Sequence, residues 1–460
     1  MGFRMKSESN KNVGVLIFGR KRPGFDQDWS KVVGKNALAG LKGLGLNPVG
    51  ADSPVFDDPT IRTALGAIKQ AECDALVILQ PSIADGQFAF SLMQQWAGPI
   101  VLWATPEKPG DGKVSSCSLV GAHLFASIFR QAGHPFELVY GGGEDVAVQA
   151  DLGRAISLTS AVARLGRAKV GVIGSHAPGF VDLAADAFLL RKALGIQMHS
   201  LSLPQYIERV RAVPEEMVLQ DVKKTRALGL QSSEGPGSVI SDETLAMSSR
   251  YYLSMLEIMK EAGLEALSLQ CWPELPIVFS HWPYLAVSRL TMEGNCVSIE
   301  GDVDGAIQSL MGSYLGIGPG FLTDWLEHDR SSIFLWHPGM ASLDMCHAIG
   351  SELGPTLGDH FNGAKPFVVD GQLKSDQPVT ITRLWRCDNQ YHMTAFEGKA
   401  IPPRRTVTGN SLLVQADDDR VTERFDNLIH AGMPHHVQLY AGRSAETFRR
   451  LARLLGLTWH

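Results

Sequence analysis

Continuous apolar runs of strand length alternate with helix-periodic stretches from Val13 onward. The runs are VGVLIFGR (13–20), DALVILQ (74–80), PIVLWAT (99–105) and FELVYGG (136–142). Between them, stretches such as 29–44 and 118–132 carry their apolar residues at helical spacing. A strand–helix–strand series with unbroken apolar strands predicts a parallel sheet covered on both faces. This first domain is assigned to residues 1–166. The pattern restarts at KVGVI (169–173). Helices are predicted over 181–194, 214–228, 241–262 and 284–293, with strands at ALSLQCW (266–272) and Val297–Ile299. A second α/β domain, 167–314, follows from them. Past about residue 355 the helical period gives way to short alternating runs at 366–371, 378–386, 391–398 and 411–416, separated by Gly, Asp, Asn and Pro. These predict an antiparallel barrel or sandwich, in a third domain, 315–460, closed by a helix with Leu451, Leu454 and Leu455 inward. The fold class is α/β: two parallel-sheet, Rossmann-like domains followed by a mainly antiparallel, barrel-like one.

Three apolar runs in the stretch Cys296–Gly339 end in groups that can do chemistry. Val297–Ile299 ends in Glu300, Phe321–Leu322 leads to Asp324, and Ile333–Trp336 ends in His337. Open α/β sheets place ligands past the carboxyl ends of their strands. Glu300 and Asp324 are 24 residues apart, a spacing that one strand–helix–strand repeat would bring side by side. Two carboxylates held that close share a cation or a proton, so the pair reads as half of a divalent-metal site. The plainer reading of the acidic cluster is helix capping, with Asp302 or Asp304 capping a helix that begins near Gly305. Trp272 and Glu274 follow a strand and fall at the same mouth. His435 and His436 open the strand VQLY; neighbours in a strand point to opposite faces, so one of them enters a site. The loop GSHAPG (174–179) has neither GxGxxG nor a GK[ST] ending, which excludes a nucleotide cradle. His176 within it is either a surface residue or a substrate contact. Arg20, at the tip of the first strand, begins the cluster Arg20-Lys21-Arg22, which is either solvated or turned toward an anionic ligand.

Composition narrows the class. At 460 residues the chain is too long for one core. A net charge of -6 gives no basic footprint for nucleic acid. The six cysteines form no CxxC and several lie in apolar runs, so they read as reduced thiols of a cytoplasmic protein. The start, MGFRMKSESNKN, lacks an apolar signal core, and no apolar run is long enough to span a bilayer.

Taken together these pieces resemble the L-fucose isomerase and L-arabinose isomerase superfamily, its fucose isomerase-like branch in particular. SIEGDVDGA carries Glu300 as in that family's first metal motif, FLTDW carries Asp324 at the second, WHPGMASL resembles the following loop, and GMPHHVQLYAG matches the segment with the imidazole ligand. The resemblance implies a metal-dependent aldose–ketose isomerase working through a cis-enediol, with Mn²⁺, Co²⁺ or Mg²⁺ held by Glu300, Asp324 and His436. His436 is favoured over His435 when Gly442 is placed on the family's glycine. Glu300 and Asp324 would be the catalytic acid/base pair, and Arg20, Trp272, His337 and His435 would contact the sugar. Family substrates are deoxy sugars, pentoses and, in some branches, anionic sugars such as sulfoquinovose. Relatives are trimers or hexamers with sites between subunits, so a homo-oligomer is expected. Two rivals are a non-catalytic sugar-binding protein and an epimerase or aldolase on the same scaffold.

Overall fold

The computed structural model describes residues 11–19, 25–110, 112–233, 239–405 and 407–460; Arg20 and its basic neighbours lie outside them. The chain divides into two compact units. One runs to Gly166 and takes in Arg453–Gly456; the other holds Arg167–Ala452 and Leu457–His460.

In the first unit, β1 (Asn12–Ile17), β2 (Asn47–Val49), β3 (Leu76–Gln80), β4 (Ile100–Ala104) and β5 (Phe136–Tyr140) form a sheet in the order β2-β1-β3-β4-β5, every pair parallel. β3 and β4 are buried at every residue, as helices on both faces require. Alternate residues serve opposite cores. Leu16, Ile78 and Leu102 join one cluster, while Val15, Ile17, Val77 and Val101 join the other, the two-residue period of a strand.

The second unit begins with another parallel sheet. β6 (Lys169–Ile173), β7 (Gln197–Leu201), β9 (Ala266–Leu269) and β10 (Cys296–Ile299) lie in the order β10-β9-β6-β7, while the short β8 (Gln231–Ser232) joins a different sheet. That larger, mixed sheet contains β11 (Phe321–His328), β12 (Ser332–His337), β13 (Thr356–Gly358), β14 (Val368–Gln372), β15 (Pro378–Cys387), β16 (Gln390–Ile401), β17 (Asn410–Ala416), β18 (His436–Ala441) and β19 (Thr458–Trp459). Six of these strands pair antiparallel in a ring: β16-β15-β18-β11-β12-β17 and back to β16. Closing the ring leaves these six strands no free edge.

This topology corrects one expectation. β11 is not the parallel neighbour of β10. The helix Val303–Tyr314 leaves the parallel sheet and delivers the chain into the barrel, where β11 pairs with β12 and β18. Glu300 and Asp324 therefore come from different sheets. The helix packs against β6, β9 and β10 and also against β15 and β18, so Val303 through Gly312 are all buried. A helix covered all round needs apolar residues on every face, and this stretch has them, with polar exceptions that are tied to the barrel. Gln308 accepts from the Leu384 amide (2.6 Å) and its carbonyl from Tyr440 (2.7 Å), while Gln438 donates to Ser309 (2.9 Å). Buried polar groups left without such partners would cost about 1–3 kcal/mol each.

Candidate active site

The chain leaves β10 through a tight turn. Glu300 and Gly301 both have positive φ (60° and 72°), and the Asp302 amide closes the turn on the Ile299 carbonyl at 3.1 Å. Two left-handed residues in succession define a primed turn. Gly301 is required there: a Cβ would collide with the Ser175 carbonyl and the His176 Cα. The loop after β6 is seated on this turn, with the Ala177 amide donating to the Glu300 carbonyl at 2.8 Å.

Glu300 is buried, and its side chain accepts a hydrogen bond from Trp272 Nε1 at 2.9 Å. Asp324 lies in β11 directly opposite His436 of β18 and Trp336 of β12. His436 is fully buried; its Nε2 is 3.2 Å from Glu300 Oε2 and 3.7 Å from Asp324 Oδ1. Neither approach is an aligned hydrogen bond, so this nitrogen is buried without one. Glu300 and Asp324 thus each approach this one nitrogen, but the groups whose ligand atoms lie close together hold one carboxylate each. Two overlapping groups, Glu300 with His435 and His436, and Asp324 with His337 and His436, each bring their ligand atoms within 4.8 Å of one another.

The electrostatics favour positive charge at this place. Burial would raise the Glu300 carboxyl, but the His436 and His337 imidazoles and the Trp272 N–H hold it down to about 2. Burial would lower His436, but the Asp302, Glu300 and Asp324 carboxylates push it up to about 10. Carboxylate oxygens with an imidazole nitrogen make a hard N/O donor set that suits Mn²⁺ and similar ions, and the buried, unbonded Nε2 is the nitrogen such an ion would take. The residues present therefore fit a divalent cation.

A cavity of about 410 Å³ opens over this cluster. Glu300, Asp324, His337 and His435 line it, with an aromatic wall that includes Trp272, Trp282 and Trp336. His337 is buried, its Nδ1 makes no hydrogen bond, and burial lowers its pKa. His435 precedes β18 rather than lying in it, so the alternation rule does not separate the two histidines; their rings are 4.3 Å apart. His435 is the exposed member, and its Nδ1 meets Asp182 at 2.7 Å. His176 does not line this cavity, and neither does Glu274, which accepts from Gln270 at 2.9 Å.

Several residues here were not anticipated. Phe180 packs edge-on against Trp272 and His435, and Trp282 stacks on His360 at 3.8 Å, a histidine that burial pushes down to about 4. Single aromatic residues in apolar stretches carry no signal that separates a cavity wall from a core. Asp302 did carry one, standing two residues after Glu300, and was read only as a cap.

No protein-family model matches the chain. The chain is similar to sulfoquinovose isomerases. Those of Priestia aryabhattai and Priestia megaterium are each 25% identical to it over 452 residues, covering 97% of this chain and 98% of theirs. One from Alkalicoccus urumqiensis is 24% identical over 387 residues, 84% of this chain and 85% of its own. The similarity to the Priestia proteins spans both compact units.

Proposed function

We propose that the chain is a divalent-metal-dependent aldose–ketose isomerase acting on a sulfonated hexose, sulfoquinovose. The observation that carries the reading is the convergence of Glu300 and Asp324 on His436 Nε2, in a chain similar to sulfoquinovose isomerases almost end to end. Its motifs also align it with the wider L-fucose and L-arabinose isomerase superfamily. The division into domains 1–166, 167–314 and 315–460 belongs to the same reading.

Isomerisation moves one proton between C2 and C1 and exchanges the protonation of O1 and O2. Glu300 and Asp324 are the acid/base pair. One carboxylate takes the C2 proton while O1 gains one, giving a cis-enediol; a proton then returns to C1 as O2 loses its own. Glu300, Asp324 and His436 would hold Mn²⁺, or alternatively Co²⁺ or Mg²⁺, whose chemistry when bound is Lewis-acid polarisation of the two neighbouring sugar oxygens. The Trp272 N–H fixes the Glu300 carboxylate. His337 and His435 line the space for the sugar hydroxyls, and Arg20 is assigned to the anionic end of the substrate. The protein assembles as a homo-oligomer, a trimer or hexamer with sites between subunits.

The test is an aldose panel that includes sulfoquinovose, assayed with and without Mn²⁺ after EDTA treatment, with solvent deuterium followed into product. Ketose formation that EDTA abolishes and Mn²⁺ restores, with deuterium at C1, supports the reading. Binding without turnover supports the sugar-binding rival, and a product epimeric at C2 or cleaved supports the epimerase or aldolase.

A further inference from the structure

Asp302 is fully buried, two residues beyond Glu300, and every acceptor direction of its carboxylate is in use. Oδ1 accepts from the Gly305 amide at 2.8 Å, which caps the helix Val303–Tyr314, and from Arg383 Nη2 at 3.1 Å. Oδ2 accepts from Arg383 Nη1 at 2.7 Å and lies 3.0 Å from His436 Nδ1. Arg383 is itself buried, in β15 of the barrel. An ionised carboxylate only accepts, so the imidazole proton facing Asp302 must sit on Nδ1. In the neutral ring the lone pair is then on Nε2, the atom beside Glu300 and Asp324. The Arg383 fork supplies the carboxylate's counter-charge, so His436 need contribute no more than one neutral N–H.

We propose that Asp302, anchored by Arg383, is the positioning residue that sets the tautomer and ring orientation of His436, so that Nε2 rather than Nδ1 is presented to the divalent cation. The inference rests on the metal-dependent reading above. It adds that one buried carboxylate joins the helix of the parallel sheet to the imidazole of the barrel. Carboxylates behind metal-binding histidines commonly govern metal affinity by 10–100-fold. With its four contacts saturated, Asp302 is not a ligand in its own right.

The experiment measures Mn²⁺ affinity of the full chain by the EPR signal of free Mn²⁺, and records the visible absorption of the Co²⁺ form. Asp302→Asn keeps the size and an oxygen for the Gly305 amide, but can turn an N–H toward His436. It is expected to bind Mn²⁺ about 10–100-fold more weakly and to change the Co²⁺ spectrum. Asp304→Asn is the control. Asp304 is also buried, and is held by Arg386 (3.0 Å) and Tyr391 (2.9 Å) rather than by His436; its affinity should stay within about twofold of wild type, well under the range for an outer-shell partner. Arg383→Lys keeps the charge but loses the fork, and should weaken Mn²⁺ binding by a smaller factor; it carries the test if Asp302→Asn does not fold. Wild-type affinity in a folded Asp302→Asn, or in Arg383→Lys when that variant stands alone, overturns the positioning role and leaves the isomerase reading standing. So does an equal loss in Asp304→Asn. A wild-type protein that binds neither Mn²⁺ nor Co²⁺ overturns both.

Discussion

Glu300 and Asp324 stood out in the sequence because each ends an apolar run, where a carboxylate has few reasons to be. Their substitution separates chemistry from folding. Glu300→Gln and Asp324→Asn preserve shape and should lower kcat by about 10²–10⁴-fold, the usual worth of a positioned acid/base group, with melting temperatures near wild type by calorimetry. Trp272→Phe keeps an aromatic ring but removes the N–H that Glu300 accepts; steady-state kinetics should show kcat/KM lowered by about 10–100-fold, the worth of a hydrogen bond to a charged group. From the local pattern alone His436 is legible only as one of a pair, because the rule that neighbours alternate presumes both lie in the strand, and His435 does not; the resemblance, with Gly442 on the family's glycine, favours His436. Arg383 was not legible as a partner. TRLWR reads as an ordinary alternating strand, and only the packing of the helix Val303–Tyr314 on β15 brings Asp302 to it.

Among the elements, the turn after β10 and the loop after β6 act as one piece. Gly301→Ala places a side chain at φ 72° against the Ser175–His176 backbone. The left-handed conformation alone costs about 1–2 kcal/mol, and the collision adds to it. The urea midpoint should fall, and the KM should rise as the loop bearing Phe180 and Asp182 is displaced. A second loop gives a pH test far from the chemistry. Glu107 accepts from the amides of Ser115, Ser116 and Cys117 and from both serine hydroxyls. Partial burial would raise its carboxyl, but these bonds hold it down to about 2 against an ordinary value of 4.5. A depressed carboxyl contributes stability that is present above its unfolded value and lost as pH falls through its folded value. As pH falls from about 4.5 to about 2, wild type should therefore lose stability more steeply than Glu107→Gln, measured by urea unfolding monitored by fluorescence. The inner strands of both parallel sheets are readable because burial on both faces leaves unbroken apolar runs, whereas the edge strands β2 and β7, largely open to solvent, have no such run. The spacing of Glu300 and Asp324 suggests one strand–helix–strand repeat because Phe321 and Leu322 read alike in a parallel sheet and in a barrel, but β11 pairs within the barrel.

At the scale of the whole molecule, Phe361 at 60% and Leu326 at 44% are exposed apolar residues beside the cavity, and the proposed homo-oligomer can be tested directly. Light scattering should give three or six copies, and dilution below the assembly concentration should reduce turnover if sites lie between subunits. Among the described residues no helix is long and apolar enough to cross a membrane. The sequence alone determined the alternation of strands and helices, the change to antiparallel runs, and which carboxylates and imidazoles were candidates, because hydrophobic period and strand-end position are local properties of the chain. Only the tertiary structure decided that Glu300 and Asp324 approach His436 from their two sheets, that the barrel closes through β16 and β17, and that Asp302 with Arg383 stands behind His436. Those are contacts between residues far apart in the chain, fixed by how layers pack, and no local pattern encodes them.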